Sequence, residues 1–102
     1  MQLRPVRLYL NENVLHIDWN DGTTTRHSSI VLRRRCPCAG CQGHNAHQAV
    51  PAEVPNVDPE VRIVRVAPAG NYGYHIDFSD GHGTGIYTLE LLRALGTLES
   101  QP

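Results

Sequence analysis

All three cysteines of the 102-residue chain fall within six positions, Cys36-Pro37-Cys38-Ala39-Gly40-Cys41. Thiols at that density, in a chain with six histidines, point to metal binding rather than to scattered core cysteines. Thiolate sulfur and imidazole nitrogen are the donors that zinc takes in tetrahedral sites, so a Cys3His set is a natural completion. A disulfide across Cys36-Pro37-Cys38 would be strained and would leave the third thiol unpaired. Gly40 lets the backbone curl so that three sulfurs can face one point. The single residue between Cys36 and Cys38 departs from the commoner zinc-finger spacing, which leaves the identity of the metal open.

The spacing does not select the fourth ligand. His44 would close a compact local knuckle, and His47 is the next nearest. His82 follows Asp80-Gly81 in a stretch where Gly83 and Gly85 permit close backbone approach. A ligand there would close a loop of some forty residues and stabilise the fold more than a local closure. On spacing alone His44 and His82 stand level.

Two copies of one pattern have to position these residues. Leu15-His16-Ile17-Asp18-Trp19-Asn20-Asp21-Gly22 returns as Tyr74-His75-Ile76-Asp77-Phe78-Ser79-Asp80-Gly81. Period-two alternation running into Asp-Gly predicts a half-buried strand followed by a tight turn. Upstream, Val6–Leu10 and Val61–Val66 predict partner strands, turned through Asn11-Glu12-Asn13 and Pro68-Ala69-Gly70-Asn71. Downstream, third strands are expected over Thr23–His27 and Gly83–Tyr87, each leading into a short helix capped by Ser28 or Thr88. Each helix carries a Leu-Arg pair, Leu32-Arg33 and Leu92-Arg93. The expected fold is α+β: two repeated β-β-β-α units, about 5–41 and 60–97, with antiparallel strands and short helices, and, with His82 rather than His44 as the fourth ligand, a zinc knuckle joining the halves. Residues 42–60, with prolines at 51, 55 and 59, read as a linker loop within a single domain spanning 1–102.

Composition narrows the function. A hydrophobic share of 40% with a net charge of −1 predicts a folded domain rather than a disordered chain. A near-neutral chain offers no global field for nucleic acid or an anionic membrane. No apolar run approaches the roughly 20 residues of a membrane span. The first residues lack a signal-peptide core, and an odd cysteine count fits the reducing cytoplasm. Arg33-Arg34-Arg35 reads as charge compensation for thiolates more readily than as a phosphate contact. His16 with Asp18 and His75 with Asp77 fall on the polar strand faces, where solvation rather than acid-base catalysis is the expectation. Asp21 and Asp80 read as turn residues.

The order Leu32-Arg33, Cys36-Pro37-Cys38-Ala39-x-Cys41, Asp80-Gly81-His82-x-Thr84-Gly85-Ile86-Tyr87, Leu92-Arg93 resembles the gamma-butyrobetaine hydroxylase-like N-terminal domain over about residues 3–97. The resemblance implies zinc held by Cys36, Cys38, Cys41 and His82, which favours His82 over His44. In the carnitine-pathway hydroxylases this domain precedes a jelly-roll oxygenase domain holding iron and 2-oxoglutarate. Nothing in these 102 residues supplies that domain, so hydroxylase activity is not expected. Family members also occur alone in bacteria or fused to P-loop ATPases of iron–sulfur cluster assembly. This implies a small standalone bacterial member acting as a non-catalytic, zinc-binding accessory or interaction domain. Its expected partner is a protein, such as an iron–sulfur assembly ATPase or a metalloenzyme, and a homodimer is compatible. An iron–sulfur cluster carrier using the same Cys3His site is the alternative. A thiol redox protein or zinc hydrolase would require a free low-pKa thiol or an open metal position.

Overall fold

The alternation in the sequence becomes two antiparallel meanders. A computed structural model describes residues 3–38, 51, 53–83 and 85–100. The first meander runs β1 (Pro5–Asn11), β2 (Val14–Trp19) and β3 (Thr23–Ser28), followed by α1 (Ser29–Arg34). The second runs β4 (Ile63–Ala69), β5 (Gly73–Phe78) and β6 (Ile86–Thr88), followed by α2 (Leu89–Leu95) and a final strand β7 (Thr97–Ser100). β7 pairs with β3, so the sheets have the orders β1-β2-β3-β7 and β4-β5-β6. The architecture is α+β with antiparallel pairing throughout.

Local chemistry explains the turns and caps. Glu12 and Asn13, at φ 50° and 66°, form the two-residue turn between β1 and β2, where asparagine tolerates the left-handed region. Ser28 accepts a hydrogen bond from the Val31 N–H and Thr88 from the Leu91 N–H, so both expected N-caps are in place. Both edge strands slip register at the same place, between Pro5 and Arg7 and between Ile63 and Arg65. The bulged residues Val6 and Val64 are 69% and 66% exposed. Bulges of this kind twist an open edge away from further pairing.

The inward residues of both meanders make one core. Leu15, Ile17 and Trp19 meet Ile76, Phe78 and Tyr87, roofed by Leu32, Leu91 and Leu92. Each such side chain contributes about 1.5–3 kcal/mol by leaving water. Trp19 and Phe78 are buried as their alternation requires, while Tyr74 is only partly covered. The Tyr87 hydroxyl donates to the Leu32 carbonyl at 2.6 Å, tying β6 to α1. Asn13 bonds the start of β4, donating to Val61 O and accepting from the Ile63 N–H, both at 3.2 Å.

Three expectations are corrected. The third strand of the second meander covers only Ile86–Thr88, not Gly83–Tyr87, because the chain after Asp80-Gly81 folds back: the Phe78 N–H donates to His82 O at 2.8 Å. β4 starts at Ile63 rather than Val61. β7 was not expected, since four mostly polar residues give little period to read. Of the expected linker, residues 51 and 53–60 form no strand or helix, and the remainder lies outside the described residues.

Candidate metal centre

Two segments converge at the site. Cys36 directly follows the C-cap Arg35 of α1, and its N–H donates to Arg33 O at 3.3 Å. Its side chain is fully buried. Cys38 is partly buried, and no disulfide joins cysteines among the described residues. From the other meander comes His82, whose Nε2 stands 3.0 Å from Cys36 Sγ and 3.3 Å from Cys38 Sγ. The three donor atoms all lie within 4.8 Å of one another. A tetrahedral zinc with sulfur at about 2.3 Å and nitrogen at about 2.0 Å sets its ligand atoms roughly 3.5–3.8 Å apart. The observed set is close to one face of such a tetrahedron, so this group could hold a metal ion. The expected ligand Cys41, and the alternatives His44 and His47, lie outside the described residues.

His82 is delivered by a tightly specified turn. Gly81 has φ 84°, a conformation that costs other residues, and its N–H donates to Phe78 O at 3.0 Å. Asp80 accepts the His82 N–H at 3.1 Å on one oxygen and the Arg33 Nε–H at 2.8 Å on the other. Burial pushes the Asp80 carboxyl up, but the Arg33 hydrogen bond, the His82 N–H and the charge of Arg33 outweigh it and hold it below the ordinary carboxylate value. Asp80 is the site residue that sequence reasoning undervalued: it is a turn residue, and it also links the two ligand-bearing segments. Gly85 completes the wall, since a Cβ there would stand 2.8 Å from Cys36 Sγ.

The three arginines before the cysteines are all engaged. Beyond the Arg33–Asp80 pair, Arg35 donates to Pro51 O at 2.9 Å, and Arg34 stands 3.7 Å from Glu53 in an exposed pair of little energetic weight. The polar-face groups outside the site also have local roles. His16 stacks on Tyr9 with ring centroids 4.7 Å apart, and Asp18 accepts from Thr24 at 2.9 Å.

The chain belongs to the gamma-butyrobetaine hydroxylase-like, N-terminal family, whose model matches residues 6–93. Among solved structures, it is similar to a protein of unknown function of the DUF971 family from Acidithiobacillus ferrooxidans ATCC 23270. That match has 35% identity and TM-score 0.72, covering 90% of this chain and 91% of that one. Two solution NMR structures are also similar. One has 30% identity and TM-score 0.74, over 93% of this chain and 70% of that one. The other has 26% identity and TM-score 0.66, over 93% and 73%. No curated protein matches the chain.

Proposed function

We propose that this chain is a non-catalytic zinc-binding accessory domain, in which Cys36, Cys38, Cys41 and His82 hold one Zn2+ as a knuckle between two repeated β-β-β-α units. The observation that carries this reading is the approach of His82 Nε2 to both thiols, at 3.0 and 3.3 Å, from opposite meanders. Four protein donors close a tetrahedral shell and leave no position for water, which is the signature of a structural ion rather than a hydrolytic one. The bound ion would supply cross-linking and would keep the thiols as thiolates. A cysteine-rich metal site of this kind fits a reducing compartment such as the cytoplasm.

The role for such a module is docking to a protein, in iron–sulfur assembly or beside a metalloenzyme. Support for a docking role comes from the open edges of β1 and β4, where Leu8, Leu10, Val64 and Val66 line a groove of about 320 Å³. No helix among the described residues is long and apolar enough to cross a membrane.

Elemental analysis with a visible spectrum, on tag-free protein purified without oxygen, tests the reading. About one zinc per chain in a colourless sample is expected for a four-ligand structural site. Iron with sulfide and visible absorbance would replace this reading with a cluster carrier using the same donors.

A further inference from the structure

One arrangement is built twice in this fold. Arg33 of α1 donates to Asp80 Oδ2 at 2.8 Å, and Arg93 of α2 donates to Asp21 Oδ2 at 2.9 Å. Each helix thus grips the Asp-Gly turn of the other meander. Both turn glycines, Gly22 and Gly81, have φ 84°. Both aspartates accept the N–H two residues on, Thr23 and His82, at 3.1 Å. What differs is that second residue. The Thr23 hydroxyl accepts from Arg93 at 2.7 Å, whereas the His82 imidazole turns toward Cys36 and Cys38.

We infer that Arg33 is a positioning residue for the metal centre, setting the separation between the cysteine and histidine ligands through Asp80. The inference rests on the zinc reading above. Arg33 belongs to the helix that ends at Cys36 and holds the turn that presents His82, so guanidinium, carboxylate, amide and imidazole form a continuous linkage between the two ligand segments. Its side chain is only 13% exposed, and the pair is therefore better shielded from solvent than a surface ion pair. Outer groups that orient metal ligands commonly alter affinity by about 10–100-fold when removed. The Arg93–Asp21 pair has the same chemistry and no metal ligand behind it, which makes it an internal control.

The test uses the zinc-loaded full chain and reads zinc release to the chromophoric chelator 4-(2-pyridylazo)resorcinol. The ligand-field spectrum of the cobalt(II) form and the urea midpoint of each protein complete it. Arg33→Met is expected to speed zinc release by about tenfold or more and to alter the cobalt band. Arg93→Met should lower the urea midpoint by a similar amount, with release within about twofold of the parent. Arg33→Lys keeps the charge without the planar fork and should fall between parent and Arg33→Met, which preserves the test if the methionine variant does not fold. Equal release from Arg33→Met and Arg93→Met, or parental release and spectrum in both Arg33 variants, would overturn the inference. A parent chain that takes up neither zinc nor cobalt would instead remove the metal reading itself, and this inference with it.

Discussion

At Cys36 and His82, 46 positions apart, a thiol and an imidazole are brought to 3.0 Å by backbone rather than by sequence proximity. Cys36 and Cys38 were legible as partners because they are neighbours in the chain, and Cys41 lies outside the described residues. His82 was not separable from His44 by spacing, and only the Asp-Gly-His pattern of the family favoured it. The partnership of Asp80 with Arg33, 47 positions away, leaves no mark on local spacing at all. His27 is a second residue whose character emerges only on folding. It is 1% exposed, its Nε2 lies 2.8 Å from Thr25 Oγ1, and its Nδ1 has no hydrogen-bond partner among the described residues. Burial, with a smaller contribution from the charge of His16, pushes its pKa down to about 4 from 6.5. Between those values the unfolded chain binds a proton that the folded chain refuses, so stability rises with pH across that window and falls on acidification. His27 alone should remove about 2 kcal/mol between pH 7 and pH 5. Urea unfolding of the parent and of His27→Gln at both pH values measures this. The variant should lose less stability by that amount, and parallel losses would contradict the assignment.

At the scale of elements, period-two alternation was enough for β1, β2, β4 and β5, because one face of each strand must be buried and the other wet. The caps were readable for the same kind of reason: Ser28 and Thr88 sit where orphan helix N–H groups need an acceptor. The third strand of the second meander was drawn too long. Gly83 and Gly85 read as extended chain, but Gly85 serves the site, standing against Cys36. The glycines mark a close approach in the sequence, but that the approaching atom is the Cys36 sulfur emerges only on folding. Gly85→Ala should therefore act on the metal centre from outside the ligand set. Its Cβ would come within 2.8 Å of Cys36 Sγ and 3.1 Å of Pro37 Cδ. Overpacking of this kind costs about 1–3 kcal/mol. Weaker zinc retention against a competing chelator, together with a lower denaturation midpoint, is the expected outcome. Retention equal to the parent would show that the wall can yield without moving the sulfur.

Across the whole molecule, the two meanders share one core and are also joined by polar ties that each cross between them. Tyr87 reaches Leu32 O, Asn13 holds both sides of the start of β4, and the two Arg–Asp pairs are exchanged reciprocally. A shared core was foreseeable from the paired motifs, since neither set of three strands has enough apolar surface to be covered alone. The exchange of ion pairs was not, because it depends on how the two units face each other. In this setting a metal held by the proposed ligands Cys36, Cys38, Cys41 and His82 would close a long loop between the two meanders. Such a closure acts on the unfolded ensemble of the whole chain, whereas a ligand at His44 would constrain only a few residues.

The most direct measurement is thermal unfolding, with zinc content determined on the same samples, for the parent, His82→Ala and His44→Ala. A structural zinc contributes several kcal/mol, and each kcal/mol shifts the midpoint of a domain this size by about 4–8 °C. His82→Ala is expected to lose its zinc and to unfold at least about 10 °C lower, with His44→Ala keeping about one zinc per chain and a midpoint within about 2 °C of the parent. Equal zinc content and equal midpoints in the two variants would contradict a metal centre that joins the two halves.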